Sequence, residues 1–358
     1  MKKILSLTLA IIMLLALFGC SKPTPVEDGA PDVPQTESSE SSEPESADLA
    51  QGKTIACCMG SIYHPVHRVV QYGFCTKAEE LGMNPIISGL DEGSQQELIK
   101  KWNSDIEANN AVGAMIWTGD DYCYDMLKAL KQQGIYTVVP YYCHDYITTR
   151  EFIDKNPYYS TINNGIDMAD HIVNVLEERD VHSGTIIASV NGPGSTDMGT
   201  CMWFSDRIKE LGVNYKIKVI MVGADIESGT ERAVTALNEV ENTVAMVGFS
   251  DRDGQIWVNA VTELGISGLP IVCSYMNEAN LSLTESGKID ALFCDPRYET
   301  SQMSAQSLYE LINGTSFETE EDWYIKVIAP LAYAGGEGKN DIQTYRDIYD
   351  AAQAYFEE

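Results

Sequence analysis

The sequence predicts an α/β fold made of two lobes, each a parallel sheet flanked by helices. Three observations carry this. Short apolar strands alternate with amphipathic helices along most of the chain. The stretch from Lys53 to Glu358 is longer than one hydrophobic core usually serves, so two are expected. A local signature also occurs twice: helices ending Glu80-Leu81-Gly82 and Glu210-Leu211-Gly212 are each followed by a strand. Repeated βα units return each strand in the same direction, which gives parallel sheets covered on both faces.

The elements follow in order. Thr54 to Met59 is a strand, then Val66 to Leu81 a helix stopped at Gly82. Pro85 to Ser88 is a strand. Ser94 and Glu97 form a capping box for a helix to Asn109. Val112 to Trp117 is a strand, Asp121 to Gln133 a helix, and Ile135 to Val139 a strand. Near Asn156-Pro157 the alternation stumbles, which marks a break between halves. Asn163 to Glu178 is a helix and Thr185 to Val190 a strand, followed by the turn Asn191 to Gly194. Met198 to Leu211, Ser228 to Asn238 and Gly254 to Leu264 are helices. They alternate with strands at Lys216 to Val222, Val244 to Phe249 and Pro270 to Cys273.

The N-terminus has a different character. Lys2 and Lys3 precede an apolar run from Ile4 to Phe18, and Gly19-Cys20 follows. The run is short for a membrane span. It resembles a lipoprotein signal peptide, with a large Phe18 where a small residue is more usual. That implies removal of residues 1–19 and a lipid (diacylglycerol, palmitate) on Cys20. Residues 20–52 read as a disordered acidic tether. Pro23, Pro25, Pro31, Pro34 and Pro44 block helix, the glutamates repel one another, and large apolar side chains are almost absent. The globule is thus expected on the extracytoplasmic face of the cell membrane.

The net charge of −29 argues against nucleic acid, anionic lipid and phosphorylated ligands, and favours neutral or cationic ones. The eight cysteines after Cys20 show no Cys-x-x-Cys or Cys/His spacing, so neither a metal nor a disulfide scaffold is expected. Cys57, Cys58 and Cys273 sit in apolar runs as small hydrophobes.

Several segments, in order, resemble the sugar-binding group of type I periplasmic binding proteins, which includes the ribose- and galactose-binding proteins. Ile55 to Gly82 reads like the opening strand, ligand loop and first helix, with His64-Pro65 where the family often has Asn-Pro. Gly113 to Trp117 with Asp120 reads like an apolar strand and acidic turn. Lys128 to Val139 resembles the alanine-rich helix and following strand. Ser250-Asp251 stands at an Asn-Asp strand end, and Ser286 to Pro296 resembles the approach to the hinge. The resemblance implies two Rossmann-like lobes joined by a three-stranded hinge. Lobe one would be 53–158 plus about 297–328. Lobe two would be about 159–295 plus 329–358. It also implies a monomer that closes on a ligand without making or breaking a bond.

A pyranose offers a C–H face for an aromatic ring and a rim of hydroxyls for polar groups. Strand-end loops supply both: Tyr63, His64, Trp117, Asp120 and Tyr141 in the first lobe, and Asn191, Asp197, Asp251 and Tyr275 in the second. Asp295 stands at the hinge, with Arg297 beside it. Some residues depart from the family pattern. No arginine occurs from Thr200 to Phe204, Tyr275 stands for an aspartate, Asp295 for a glutamine, and Asn163-Asn164 for Asp-Asn. A ribose or glucose site is therefore not carried over intact, whereas a small polar ligand is.

No enzyme and no cofactor are expected. Gly192 to Thr196 lacks the lysine of a phosphate loop, and no Gly-x-Gly-x-x-Gly follows the first strand. A repressor would need a DNA-binding motif where the tether stands. The partner in the membrane stays open between an ABC permease and a sensor kinase, since both would read the closed lobes.

Overall fold

Strand β1, Thr54–Cys58, seeds the first sheet. The computed structural model describes residues 48–357 except 119, 141–147, 159–160, 194, 320–322 and 328. Cys20, the apolar leader, nearly all of the tether and Tyr141 lie outside the described residues.

β1 pairs in parallel with β2 (Asn84–Ser88) and with β3 (Gly113–Ile116), which pairs in parallel with β4 (Tyr136–Val138). The order β2-β1-β3-β4 puts Pro85 on an edge strand, where a missing N–H costs no central ladder bond. Helices α1 (Pro65–Glu80), α2 (Gln95–Ala108) and α3 (Tyr124–Gln132) make the connections. Strand alternation divides the core in two. Ala56, Cys58, Ala114 and Ile116 meet Trp102, Ile106 and Leu127 of α2 and α3. Ile55, Cys57 and Met115 meet Val70, Phe74 and Ala78 of α1. α2 starts as its capping box predicts: Ser94 N donates to Glu97 Oε2 at 2.8 Å, and Glu97 N donates to Ser94 Oγ at 3.3 Å.

The second sheet is larger. β6 (Ser183–Val190), β7 (Asn214–Met221), β8 (Thr243–Gly248), β9 (Ile271–Ser274) and β10 (Ala291–Phe293) run parallel. β12 (Leu331–Ala332) adds antiparallel to β10, giving the order β12-β10-β9-β8-β6-β7. Here too the faces alternate. Ile186, Ala188 and Val190 pack with helices α4 (Thr161–Glu178) and α5 (Thr196–Glu210). Ile187, Met246 and Cys273 pack with α6 (Ile226–Glu239), α7 (Asp253–Leu264) and α8 (Glu278–Glu285). α7 ends at Gly265, whose φ of +64° suits glycine and closes the helix.

The stumble at Asn156-Pro157 is itself a strand. β5 (Asn156–Tyr158) pairs in parallel with β11 (Tyr324–Lys326) in a separate two-stranded ladder. Its three residues with a central proline carry no periodic signal, which is why alternation alone passes over it. Val327 N donates to Tyr158 O at 2.8 Å, and Cys294 N to Pro330 O at 3.1 Å, so the chain's passages between the sheets are bonded to other segments.

Helix α9 (Arg297–Ile312) follows β10 of the second sheet but packs on the first, placing Ala305, Leu308 and Leu311 in the core under α1. The approach is close: a Cβ on Gly73 of α1 would lie 2.3 Å from Ser301 Oγ and 2.6 Å from Tyr298 O. Helix α10 (Ile342–Ala354) follows β12 and touches both α8 and α1. Cysteines 57, 58, 75, 123, 201, 273 and 294 are free and buried, and burial pushes the thiols of Cys75, Cys123 and Cys201 up to about 12. Among the described residues no helix is long and apolar enough to cross a membrane.

Candidate ligand site

The loops after the carboxyl ends of β1, β3, β8, β9 and β10 carry the candidate residues, as open parallel sheets dictate. The first wall is aromatic. His64 caps α1, its Nδ1 accepting from Val66 N at 3.3 Å. One turn on, His67 lies 5.0 Å from the His64 ring and 4.8 Å from the Trp117 ring, centroid to centroid. Nδ1 of His67 sits 2.9 Å from Ser61 O, which fixes the ring. Trp117 continues β3, its N–H donating to Cys58 O at 2.9 Å.

The second wall is built on two buried polar residues. Asp253 opens α7, and its carboxylate accepts from Phe249 N at 2.8 Å, Ser250 N at 3.0 Å, Ser189 Oγ at 2.7 Å and Ser250 Oγ. This shapes the turn that carries Asp251 and Arg252. Asn280 is fully buried. Its Nδ2 lies within donor range of Asp251 O (3.4 Å), Ser274 O (3.1 Å) and Tyr275 O (3.0 Å), tying the β8 and β9 loops together. Only glycine fits at Gly254, where a Cβ would lie 2.2 Å from Asn280 Oδ1. Tyr275 has φ +74°, an uncommon conformation for a tyrosine, of the kind found where surroundings over-determine the backbone.

Arg297 stands between the walls. It ion-pairs with buried Asp295 (Nη2 to Oδ2, 3.1 Å), and its guanidinium carbon lies 5.8 Å from the Trp117 ring centre and 5.6 Å from that of Tyr275. Burial raises the Asp295 carboxyl, and Arg297 opposes that shift. Burial lowers the His64 imidazole; Asp251 pulls it back up, and Arg297 and Arg252 add to the lowering. The first sheet's histidine thus feels charges carried on the second sheet.

The structure brings five of the expected residues into this cluster: His64, Trp117, Asp251, Tyr275 and Asp295. Tyr63, 61% exposed, and exposed Asp120 lie on the adjoining loops, and the Asp120 side chain makes no capping bond. Asn191 follows β6, with its Oδ1 buried and unpartnered among the described residues. Asp197 is buried, and its Oδ2 accepts from Asn191 N at 2.5 Å, so it shapes that turn. His67, Asp253 and Asn280 were not anticipated. For His67 the spacing His64-x-x-His67 on the first helical turn was the available signal.

Burial, the largest influence on His67, lowers its imidazole to about 4, against about 6.5 for an unfolded histidine. Between those values the unfolded chain binds the extra proton. Stability is therefore fully present above pH 6.5 and is lost as pH falls toward 4. Denaturant midpoints across that window should drop more in the parent protein than in His67→Gln. Parallel curves would show that His67 contributes nothing to the pH dependence.

No family model matches the chain, and no curated protein matches it in sequence. Solved structures do match in shape. The chain is similar to AraP, an arabinose binding protein from Geobacillus stearothermophilus, with a TM-score of 0.68 at 14% identity over 82% of this chain and 99% of that one. The fold is that of the type I periplasmic binding proteins. A periplasmic solute binding protein of an ABC transporter from Actinobacillus succinogenes, solved with bound D-allose, gives 0.66 at 12% identity over 82% and 99%. XylFII in its complex with LytSN gives 0.61 at 16% identity over 79% and 98%. In the type I fold the cluster at His64, Trp117, Tyr275 and Arg297 lies where strand ends of both sheets converge.

Proposed function

We propose that the chain is a membrane-anchored, extracytoplasmic substrate-binding protein of an ABC importer. It takes a small polar ligand, a sugar, between its lobes and closes on it by hinge motion. The observation that carries this reading is the meeting of Trp117 from one sheet and Tyr275 from the other around Arg297, with Asp251 and His64 close by. Aromatic faces suit the C–H side of a pyranose, and the amides, carboxylates and guanidinium suit its hydroxyls. The sugars named for AraP and for the D-allose complex support the same class. Lobe one is taken as 53–158 with 297–328, and lobe two as 159–295 with 329–358. Cys20, placed after the apolar leader, is the proposed lipid attachment.

A second reading shares the ligand but changes the listener. XylFII is seen in complex with another protein, LytSN, on this same fold. The lipoprotein would then present its closed form to a membrane receptor kinase in place of a permease.

A thermal-shift screen against sugars, polyols, nucleosides and amino acids tests the ligand class. A ligand at a hundred times its Kd should stabilise the folded state by about 2.7 kcal/mol, a rise of several degrees. A shift with one sugar is the expected result. Shifts only with nucleosides or amino acids would discard the carbohydrate assignment.

A further inference from the structure

The C-terminal helix α10 is fastened at both ends, and the fastenings fall on different halves of the molecule. Toward the second sheet, Ile342, Tyr345, Tyr349 and Ala352 are buried in the core that α6, α7 and α8 cover. Arg346 clamps this part to α8. Its Nε donates to Glu285 Oε1 at 2.8 Å, Nη1 to Glu278 Oε2 at 2.5 Å and Nη2 to Ser282 Oγ at 2.9 Å, with the side chain only 12% exposed. A guanidinium held by two carboxylates in so shielded a place is a firm attachment.

The other end reaches to α1. Gln353 Nε2 donates to Pro65 O at 3.1 Å, and the Tyr355 hydroxyl to Glu79 Oε1 at 2.8 Å. The Tyr355 ring lies 5.4 Å from Tyr72, edge on, and Tyr72 stacks on Tyr298 of α9 at 5.6 Å. Arg68 lies 6.0 Å from the Phe356 ring centre. All these α1 residues belong to the helix that covers the first sheet and that His64 caps.

Any swing of the first sheet against the second must either break the α1 contacts or peel α10 from α8. We propose that α10 is a strap between the lobes that sets how far the cleft opens, so that residues outside the ligand site control its affinity. This rests on the reading that the cleft binds by lobe closure. A contact that differs between open and closed forms shifts their populations by its differential free energy, and apparent affinity follows the competent fraction.

A strap fails equally when cut at either end, and that is its signature. Small-angle scattering on the purified protein without ligand should show a larger radius of gyration for Arg346→Ala and for Tyr355→Ala. The double variant should expand no further than either single one. With the sugar found in the screen, each variant should bind about tenfold more weakly. Unchanged scattering in the single variants, or expansion that simply adds in the double, would overturn the strap. Should Arg346→Ala fail to fold, Gln353→Ala combined with Tyr355→Ala removes both hydrogen bonds to α1 and the ring contact with Tyr72 while sparing the second-sheet core, and the same expansion is expected. The scattering needs no ligand, so a failed sugar assignment and a failed strap are separate outcomes.

Discussion

Replacing Trp117 with alanine is expected to weaken ligand binding about thirtyfold, or about 2 kcal/mol. The indole continues β3, is braced by His67 at 4.8 Å, and has the Arg297 guanidinium 5.8 Å away. A rigid ring held on both sides would lose little freedom when the proposed ligand packs on it, so most of the contact energy would be realised. Trp117 also packs against both cores of the first sheet, so the variant should melt at lower temperature too. Calorimetric titration well below that temperature separates the two effects. Trp117→Phe should recover most of the packing and part of the affinity. An alanine variant that binds as tightly as the parent would remove this ring from the site.

The larger loss of stability is expected two residues from a ligand candidate. Asp253 is fully buried with four donors on its carboxylate, and Ser189, one of them, also accepts from Trp257 Nε1 at 2.8 Å. Burial pushes this carboxyl up, and the hydrogen bonds from Ser250, Ser189 and Phe249 pull it down. Asp253→Ala would strand the Phe249 and Ser250 amides and two hydroxyls in the core. Unpaired buried groups cost about 1–3 kcal/mol each, and broken buried charge networks about 3–5 in total. A fall of about 3–5 kcal/mol in unfolding free energy is therefore expected from denaturant titration. Asp251→Ala, on the solvent side of the same turn, should shift stability by about 0.5 kcal/mol or less while weakening binding. If Asp253→Ala unfolded at the parent's denaturant concentration, the network would not be what shapes this loop.

These two neighbours show where sequence reading succeeds and stops. Short continuous apolar runs between helices mark the strands around Ile55, Met115, Ile187 and Val247, because burial on both faces leaves a mark in composition. Capping chemistry located the start of α2 at Ser94. β5, β11 and β12 left no such mark: two or three residues cannot show a period, and Pro157 argues against a strand unless its place in the ladder is known. Within the site, Trp117 and Tyr275 were legible as aromatics at strand ends. Asp253 and Asn280 were not, since a polar residue in the first turn of a helix reads as ordinary capping. Only the fold reveals that one carboxylate holds a turn and one amide ties two loops. His67 lies inside an amphipathic helix, where a histidine carries no periodic mark that separates a site residue from a surface one.

The packing of Gly73 against Tyr298 and Ser301 also fixes an order of events in the making of the protein. The first sheet is complete once residue 138 has been synthesised, yet the face formed by Val70, Phe74, Met115 and Val138 is finished only by Ala305, Leu308 and Leu311. Among the described residues no segment nearer in the chain takes that place. The amino-terminal half must therefore wait, with part of its interior open to solvent, while the five parallel strands of the second sheet are made. Closing a contact over so long a loop is slow, and a half-covered core is the species that aggregates or recruits chaperones. A ribosome that stalls between the two sheets would leave behind a chain able to finish neither, and proteases would be expected to find it first at the uncovered side of α1.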